Sequence, residues 1–68
     1  MQPLDIRLKE RRKKLKLTQQ QVADHLRINQ VTYQGYEKGK HDPDLKTLIS
    51  LATFFDTSTD YLLGRYDQ

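Results

Sequence analysis

With 68 residues, no cysteine and a net charge of +3, the chain is one small domain that no disulfide stabilises. Its two histidines are far apart and have no cysteine beside them, which argues against a structural zinc site. No apolar run approaches the roughly 18 residues of a membrane span, and charged residues begin too early for a signal peptide. We therefore expect a soluble, cytoplasmic domain without metal or cofactor.

The charge is distributed unevenly along the chain. Residues 1–40 carry ten Lys/Arg against four acids, a net +6, whereas residues 41–68 carry two against five, a net −3. A basic end beside an acidic end predicts that one surface faces a polyanion. The alternative is a solvated helix face, and the charges alone do not decide between the two.

A first helix is predicted over residues 3–15. Pro3 suits the first turn, where its missing N–H is not needed. Three leucines form the apolar stripe of this helix: Leu4, Leu8 and Leu15. Ile6 lies off the stripe and is expected to be partly exposed. The other positions are mostly basic: Arg7, Lys9, Lys13, Lys14 and Lys16.

Two short helices joined by a tight turn follow. Thr18 and Gln21 have the spacing of a capping box, in which each side chain bonds the other residue's backbone N–H. Val22 and Leu26 lie four residues apart on one face of the helix that begins there. The pattern breaks after Leu26, and Asn29 can cap a new helix that ends near residue 37.

The outward positions of this third helix are unusual for a surface helix. Gln30, Val31 and Gln34 face out, while Tyr33 and Tyr36 have the buried spacing. Amides and methyl groups are what read base edges in a major groove. Alternatively, Gln30 is a solvated amide, Val31 packs near the core, and Gln34 contacts a base, a phosphate or solvent. Tyr33 is expected in the core, and the Tyr36 hydroxyl could reach a phosphate.

An arginine close to the stripe of the first helix needs a carboxylate partner. Arg12 is in that position, and Glu37 is the one acid at the end of the third helix. We predict a partly buried Arg12–Glu37 ion pair that joins the two helices. Gly39 then ends the third helix, because glycine adopts a positive φ without steric penalty.

The second half of the chain predicts two more helices. Asp44 caps a helix over residues 45–55, whose apolar positions are too many for one stripe, so it is expected to be covered on two sides. Either Leu51 or Phe54 could instead be exposed for self-association. A last helix covers residues 59–63 and ends at Gly64, and residues 65–68 read as a tail or the start of a linker.

Taken in order, these segments closely resemble the Cro/cI-type helix-turn-helix regulators, also called the lambda-repressor-like or XRE group. The resemblance covers residues 4–64. The motifs that carry it are RR…LTQQQVA at the entry, YEKG at the exit, PDLKTL, and the closing STDYLLG. Each motif is weak alone, but their order and spacing are specific.

The resemblance implies an all-α, compact five-helix domain over residues 1–68, ordered over 3–64, with helices two and three as the helix-turn-helix. By position it implies base contacts from Gln30 and Val31, with Gln34 beside the next reading position. It implies backbone contacts from residues around them: Gln19, Asn29, Thr32, Lys38 and Lys40. Tyr36 joins this set only through its hydroxyl, as argued above. Gln19 can also buttress the third helix. The family's core ion pair matches Arg12 and Glu37.

Two positions depart from the family pattern. Arg27 stands in the turn where glycine is usual, and a left-handed backbone there would cost an arginine about 1–2 kcal/mol. Either the turn differs slightly from the family's, or the arginine is tolerated because it contacts a phosphate. Gly35 removes a side chain from a common reading position, which weakens the expectation of a base contact there. Gly35 could instead allow backbone or DNA to approach closely.

The expected function is sequence-specific binding of double-stranded DNA by a transcriptional regulator, a repressor of phage or bacterial type. A homodimer on a palindromic operator is expected, with helix five and the tail as first candidates for its contact. An antirepressor, or a C-terminal domain outside this chain, would be a further partner. The alternative is a protein-interaction or antitoxin-type module, with Phe54, Leu63 and Tyr66 as contact candidates.

No catalytic role is expected. No paired carboxylates are expected to face a cleft, and no nucleophile–histidine arrangement is visible in the sequence. His25 and His41 are interpreted as ordinary surface residues.

Overall fold

The structure is a computed structural model that describes residues 3–65. Over these residues it contains five α-helices and no strand: α1 (Pro3–Lys14), α2 (Gln19–Leu26), α3 (Gln30–Lys38), α4 (Leu45–Phe54) and α5 (Thr59–Leu62). The all-α, five-helix prediction is confirmed. Within the described part of the chain, no helix is long and apolar enough to cross a membrane.

Four of the helices begin at side-chain caps. Thr18 and Gln21 form the predicted capping box, with Thr18 Oγ1 accepting from the Gln21 backbone N–H at 3.0 Å and Gln21 Oε1 accepting from that of Thr18 at 2.8 Å. The other caps, each accepting from a backbone N–H of the first turn, are Asn29, Asp44 and Ser58. Because such a cap stabilises a helix by about 1 kcal/mol, local sequence sets where these helices start.

The core lies where α1, α2 and α3 meet α4 and α5. Its largest fully buried side chains come from all five helices and the residue after α4: Leu8, Val22, Tyr33, Leu51, Phe55 and Leu62. Leu15 is exposed and does not continue the leucine stripe, so that prediction was wrong. The reason is that α1 ends at Lys14 and the chain turns at Lys16, whose φ is 59°.

Helix α4 is covered on one side only, which corrects the prediction of two covered sides. Leu48 and Leu51 are buried, whereas Leu45 and Ile49 are 71% and 50% exposed. Leu45 and Ile49 are four residues apart, so they share one face of the helix. The described chain leaves most of that face open, and Ile49 borders a groove whose other wall is the end of α2. Of the two candidates for exposure, Leu51 is fully buried and Phe54 is half-buried.

Two arginines of α1 bind the C-terminal ends of other helices. Arg7 donates to the Tyr61 carbonyl at 2.7 Å and stacks over the Tyr61 ring at 4.4 Å. Arg11, one turn later, donates to the Phe55 carbonyl at 2.6 Å. The last carbonyls of a helix lack intrahelical partners and carry partial negative charge, so a guanidinium stabilises them. Part of the basic run therefore serves the fold.

The third arginine, Arg12, contacts the end of α3. Its Nε lies 2.7 Å from Glu37 Oε2 and its Nη2 lies 3.1 Å from Oε1, so the contact is two-pronged. Arg12 Nη1 also donates to the Leu17 carbonyl at 2.9 Å. The side chains of Arg12 and Glu37 are only 12% and 2% exposed. This pair therefore ties α1 and the α1–α2 turn to α3.

We expect Glu37→Ala and Arg12→Ala each to destabilise the domain by roughly 3–5 kcal/mol, because each leaves a buried charge without its partner. Replacing both residues together, Arg12→Ala with Glu37→Ala, should lose much less than the sum of the two single losses, since no buried charge is left unpaired. Urea unfolding followed by circular dichroism measures all three. Strictly additive losses in the double variant would show that the two residues do not act as a pair.

Candidate nucleic-acid interface

Helix α3 is anchored by its two tyrosines. Tyr33 is fully buried, Tyr36 is nearly so, and their rings meet edge to face at 6.2 Å. Val31 is on the opposite side and is 72% exposed, while Gln30 and Gln34 are half-buried beside it. The predicted orientation of the helix is therefore the one observed, with the tyrosines inward and the valine outward.

Glu37 fixes the far end of α3 through donors from two other helices. Besides the two bonds from Arg12, its Oε1 accepts from Gln19 Nε2 at 3.1 Å. Burial on its own would raise the pKa of the Glu37 carboxyl, but the hydrogen bonds and positive charge of Arg12, together with the neighbouring Tyr33 hydroxyl and Gln19, outweigh it and the pKa is lowered. Gln19, at the start of α2, thus has the buttressing position expected of it.

The turn between α2 and α3 is built on a strained residue. Arg27 has φ 59° and ψ 42°, the left-handed conformation that is costly for an arginine, so the turn does not avoid it. Its backbone N–H donates to the Asp24 carbonyl at 3.2 Å, and that of Ile28 donates to the Ala23 carbonyl at 3.0 Å. These bonds close the turn with an exposed arginine where glycine would be unstrained.

Four of the candidate phosphate contacts lie at the two ends of α3, two at its start and two at its end. Asn29 uses its side-chain oxygen to cap the helix, accepting from the Val31 N–H at 2.7 Å. Thr32 is half-buried, and Lys38 and Lys40 are exposed on either side of Gly39, which ends the helix with φ 72°. Free lysines at a helix end can meet a phosphate backbone without losing an internal partner.

Tyr36 combines a core ring with a polar hydroxyl. Burial, together with the negative charge of Asp44, raises the pKa of this phenol above its usual value. The hydroxyl is therefore protonated at neutral pH. A protonated phenol can donate a hydrogen bond to an anion such as a phosphate.

His41 has a position that the sequence interpretation missed. Its ring lies over Gly35 and meets the Tyr36 ring edge to face at 5.2 Å, so it is not simply a surface residue. A glycine inside a helix costs up to about 1 kcal/mol relative to alanine. Gly35 could therefore have signalled that another group packs closely on α3, although not which one.

The described residues contain no cluster of three or more His, Asp or Glu side chains that could hold a metal ion. Helix α3 and the residues that follow it instead offer an exposed valine, flanking amides and exposed lysines. These groups suit hydrogen bonding and apolar contact with base edges together with ionic contact to phosphates.

Comparison with known proteins agrees with this geometry. Residues 8–62 match the model of the family described as Helix-turn-helix. The chain is 52% identical over 56 residues to YqaE, an uncharacterised HTH-type transcriptional regulator of Bacillus subtilis, an alignment covering 82% of this chain and 48% of that protein. It is 37% identical over 60 residues to RstR, the cryptic phage CTXphi transcriptional repressor of Vibrio cholerae, covering 88% of this chain and 54% of the repressor.

Among solved structures, the chain resembles a transcriptional regulator from Listeria innocua. The TM-score is 0.85 with 35% sequence identity, over 96% of this chain and 60% of the other. The chain spans about half the length of the curated relatives that it matches.

The stability of the domain should fall in acid because of Glu37. A carboxylate whose pKa is lowered by folding stabilises the protein above its unfolded pKa of 4.5 and loses that contribution as the pH drops through the folded pKa. Between about pH 5 and pH 3 we therefore expect the Tm of the wild type to fall more steeply than that of Glu37→Gln. Thermal melts across this range measure it, with Glu10→Gln, the only other glutamate and an exposed one, as the matched control. Parallel curves for the wild type and Glu37→Gln would contradict the assignment.

Proposed function

This chain belongs to the Cro/cI-type (XRE) helix-turn-helix family, and we propose that it binds double-stranded DNA in a sequence-specific manner, as a transcriptional regulator acting in the cytoplasm. The observation that carries the proposal is the orientation of α3. Buried tyrosines and Glu37 hold one side of this helix rigidly, and the other side presents Val31 to the surroundings. A rigid helix with such a face fits the major groove.

In the proposed complex the N-terminal turn of α3 lies against the base edges. Gln30 bonds the N6 and N7 groups of an adenine, and Val31 packs against a thymine methyl. Gln34, one turn after Gln30, contacts the neighbouring base pair. The exposure of Val31 and partial exposure of both glutamines support these roles.

A second set of side chains would hold the domain on the phosphates without reading sequence. These are Gln19, Asn29, Thr32, Tyr36, Lys38 and Lys40. Gln19 and Asn29 already have structural bonds, to Glu37 and to the Val31 N–H. A phosphate contact by either one would therefore come from a side chain that is already oriented, which lowers the entropy lost on binding.

We propose that the regulator is a repressor and that it works as a homodimer on a palindrome. The name of RstR, a phage repressor, supports the first point. The second rests on the small surface of one recognition helix, which favours two half-sites about one helical turn, roughly 34 Å, apart. An antirepressor or a C-terminal domain outside this chain would be a further partner. Over its described helices this piece would act as one DNA-binding domain, with no catalytic step.

A second candidate function is a protein-interaction or antitoxin-type module. The favouring observation is the apolar surface around α4 and α5, where Leu45, Ile49 and Leu63 are exposed. Of the residues predicted for this role, Leu63 is exposed, Phe54 is half-buried, and Tyr66 lies outside the described residues. This surface does not include Val31 and is compatible with DNA binding by α3.

Selection from a random DNA pool tests the main proposal. We expect enrichment of a two-fold symmetric motif containing A·T pairs, with tighter binding to the full site than to a half-site. Enrichment of an asymmetric half-site only would support DNA binding but contradict the dimer. No enrichment by a folded protein would contradict the proposal and favour the interaction module.

Two substitutions can distinguish a contact that reads the DNA sequence from one that only adds affinity. Val31→Ala should reduce discrimination at one base pair by roughly 1 kcal/mol, because a methyl contact is lost. Lys38→Ala should weaken binding to selected and random DNA equally and reduce the slope of log K against log salt by about 1. Mobility-shift titrations at several salt concentrations measure both. Equal losses on both kinds of DNA for Val31→Ala would show that this side chain does not read sequence.

A further inference from the structure

Gly35 of α3 is buried although its position on the helix faces away from the core. Helix positions advance by about 100° per residue, so Gly35 lies about 160° from Tyr33 and only about 40° from Val31. Tyr33 is fully buried and Val31 is the most exposed large apolar residue described. Gly35 should therefore be exposed on the same outward face as Val31, yet it is buried.

His41 is what covers Gly35. A Cβ built on Gly35 would lie 2.1 Å from Cε1 of His41 and 2.6 Å from its Nε2, so the imidazole fills the space that a side chain at this position would use. The loop after α3 thus folds back along the helix and lays its histidine on the outward face.

Two further contacts hold the ring in place. Nε2 lies 3.1 Å from the Thr32 carbonyl oxygen, which can only accept, so this nitrogen carries the proton of the bond. The ring also meets Tyr36 edge to face. Because Tyr36 is nearly buried, its ring is a fixed support. His41 itself remains exposed on its other side.

We propose that His41 is a specificity-determining residue for DNA, supplying from the loop the side chain that α3 lacks at Gly35. The inference rests on the proposed function, because it assumes that the outward face of α3 lies in the major groove. There, a group one turn beyond Val31 meets the base pair next to the one that Val31 contacts. Gly35 is then required because a Cβ at this position would clash with the imidazole. The ring, held at a defined position, contributes an aromatic and polar surface to base recognition.

The first experiment compares DNA preferences by selection and sequencing for wild type, His41→Ala and His25→Ala. We expect His41→Ala to lose discrimination at one base pair by roughly fivefold or more, at a position different from the one lost in Val31→Ala. His25→Ala removes the same ring from α2, where it stacks on Phe54 of α4, and should keep the wild-type motif. An unchanged motif for His41→Ala, with the wild type still selecting one, would overturn the role of His41 and leave the proposed function standing. No motif for the wild type would overturn both.

The second experiment tests the contact itself without DNA. Gly35→Ala should raise the Tm in the His41→Ala background, because alanine favours the helix and has room there. In the wild-type background the same change should raise the Tm less or lower it, because the new methyl displaces the imidazole. Equal effects in both backgrounds would show that His41 does not occupy the space over Gly35, which removes the basis of the proposal.

Discussion

The arrangement of helices α1, α2 and α3 depends on one buried carboxylate, that of Glu37. Glu37 closes α3 and accepts hydrogen bonds from Arg12 of α1 and Gln19 of α2, so three helices meet at a single group. A buried charge tolerates little displacement from its partners, because each lost bond leaves it unsolvated. The pair therefore contributes position as much as stability: it sets the angle of α3, and through it the direction in which Val31 points. Tyr33 and Tyr36 complete this constraint from the apolar side.

The arginines and the lysines of α1 have different roles. Its arginines reach inward to carbonyls and to Glu37, where a planar group with several donors is useful. Its lysines at 9, 13 and 14 remain exposed. The +6 balance of residues 1–40 therefore overstates the charge that is free to meet a polyanion. The candidate contacts around α3 depend on fewer cations, placed at the end of the helix rather than along α1.

Much of the fold and of the candidate interface could be predicted from the sequence, because these features are local or depend on a unique partner. The caps at Thr18, Asn29, Asp44 and Ser58 follow from neighbours three residues away or fewer. Glu37 was the only acid available to Arg12 at the end of α3. The predictions that failed concerned packing between segments distant in the sequence. An apolar pattern, for example, cannot reveal that no helix covers Leu45. The loop conformation that brings His41 onto α3 has no periodicity from which it could be inferred.

The side-chain caps have a consequence for how quickly this domain can fold. The cap of each of these helices lies within a few residues of its first turn. The helix can therefore nucleate before remote parts of the chain make contact with it. Small helical domains dominated by such local contacts fold in microseconds to milliseconds. The slow steps should then be those that join distant segments: the contacts of Arg7 and Arg11 with carbonyls 54 and 44 residues away, and the Arg12–Glu37 ion pair, which joins segments 25 residues apart. Until that pair forms, the helices could exist individually but could not present α3 in a defined direction.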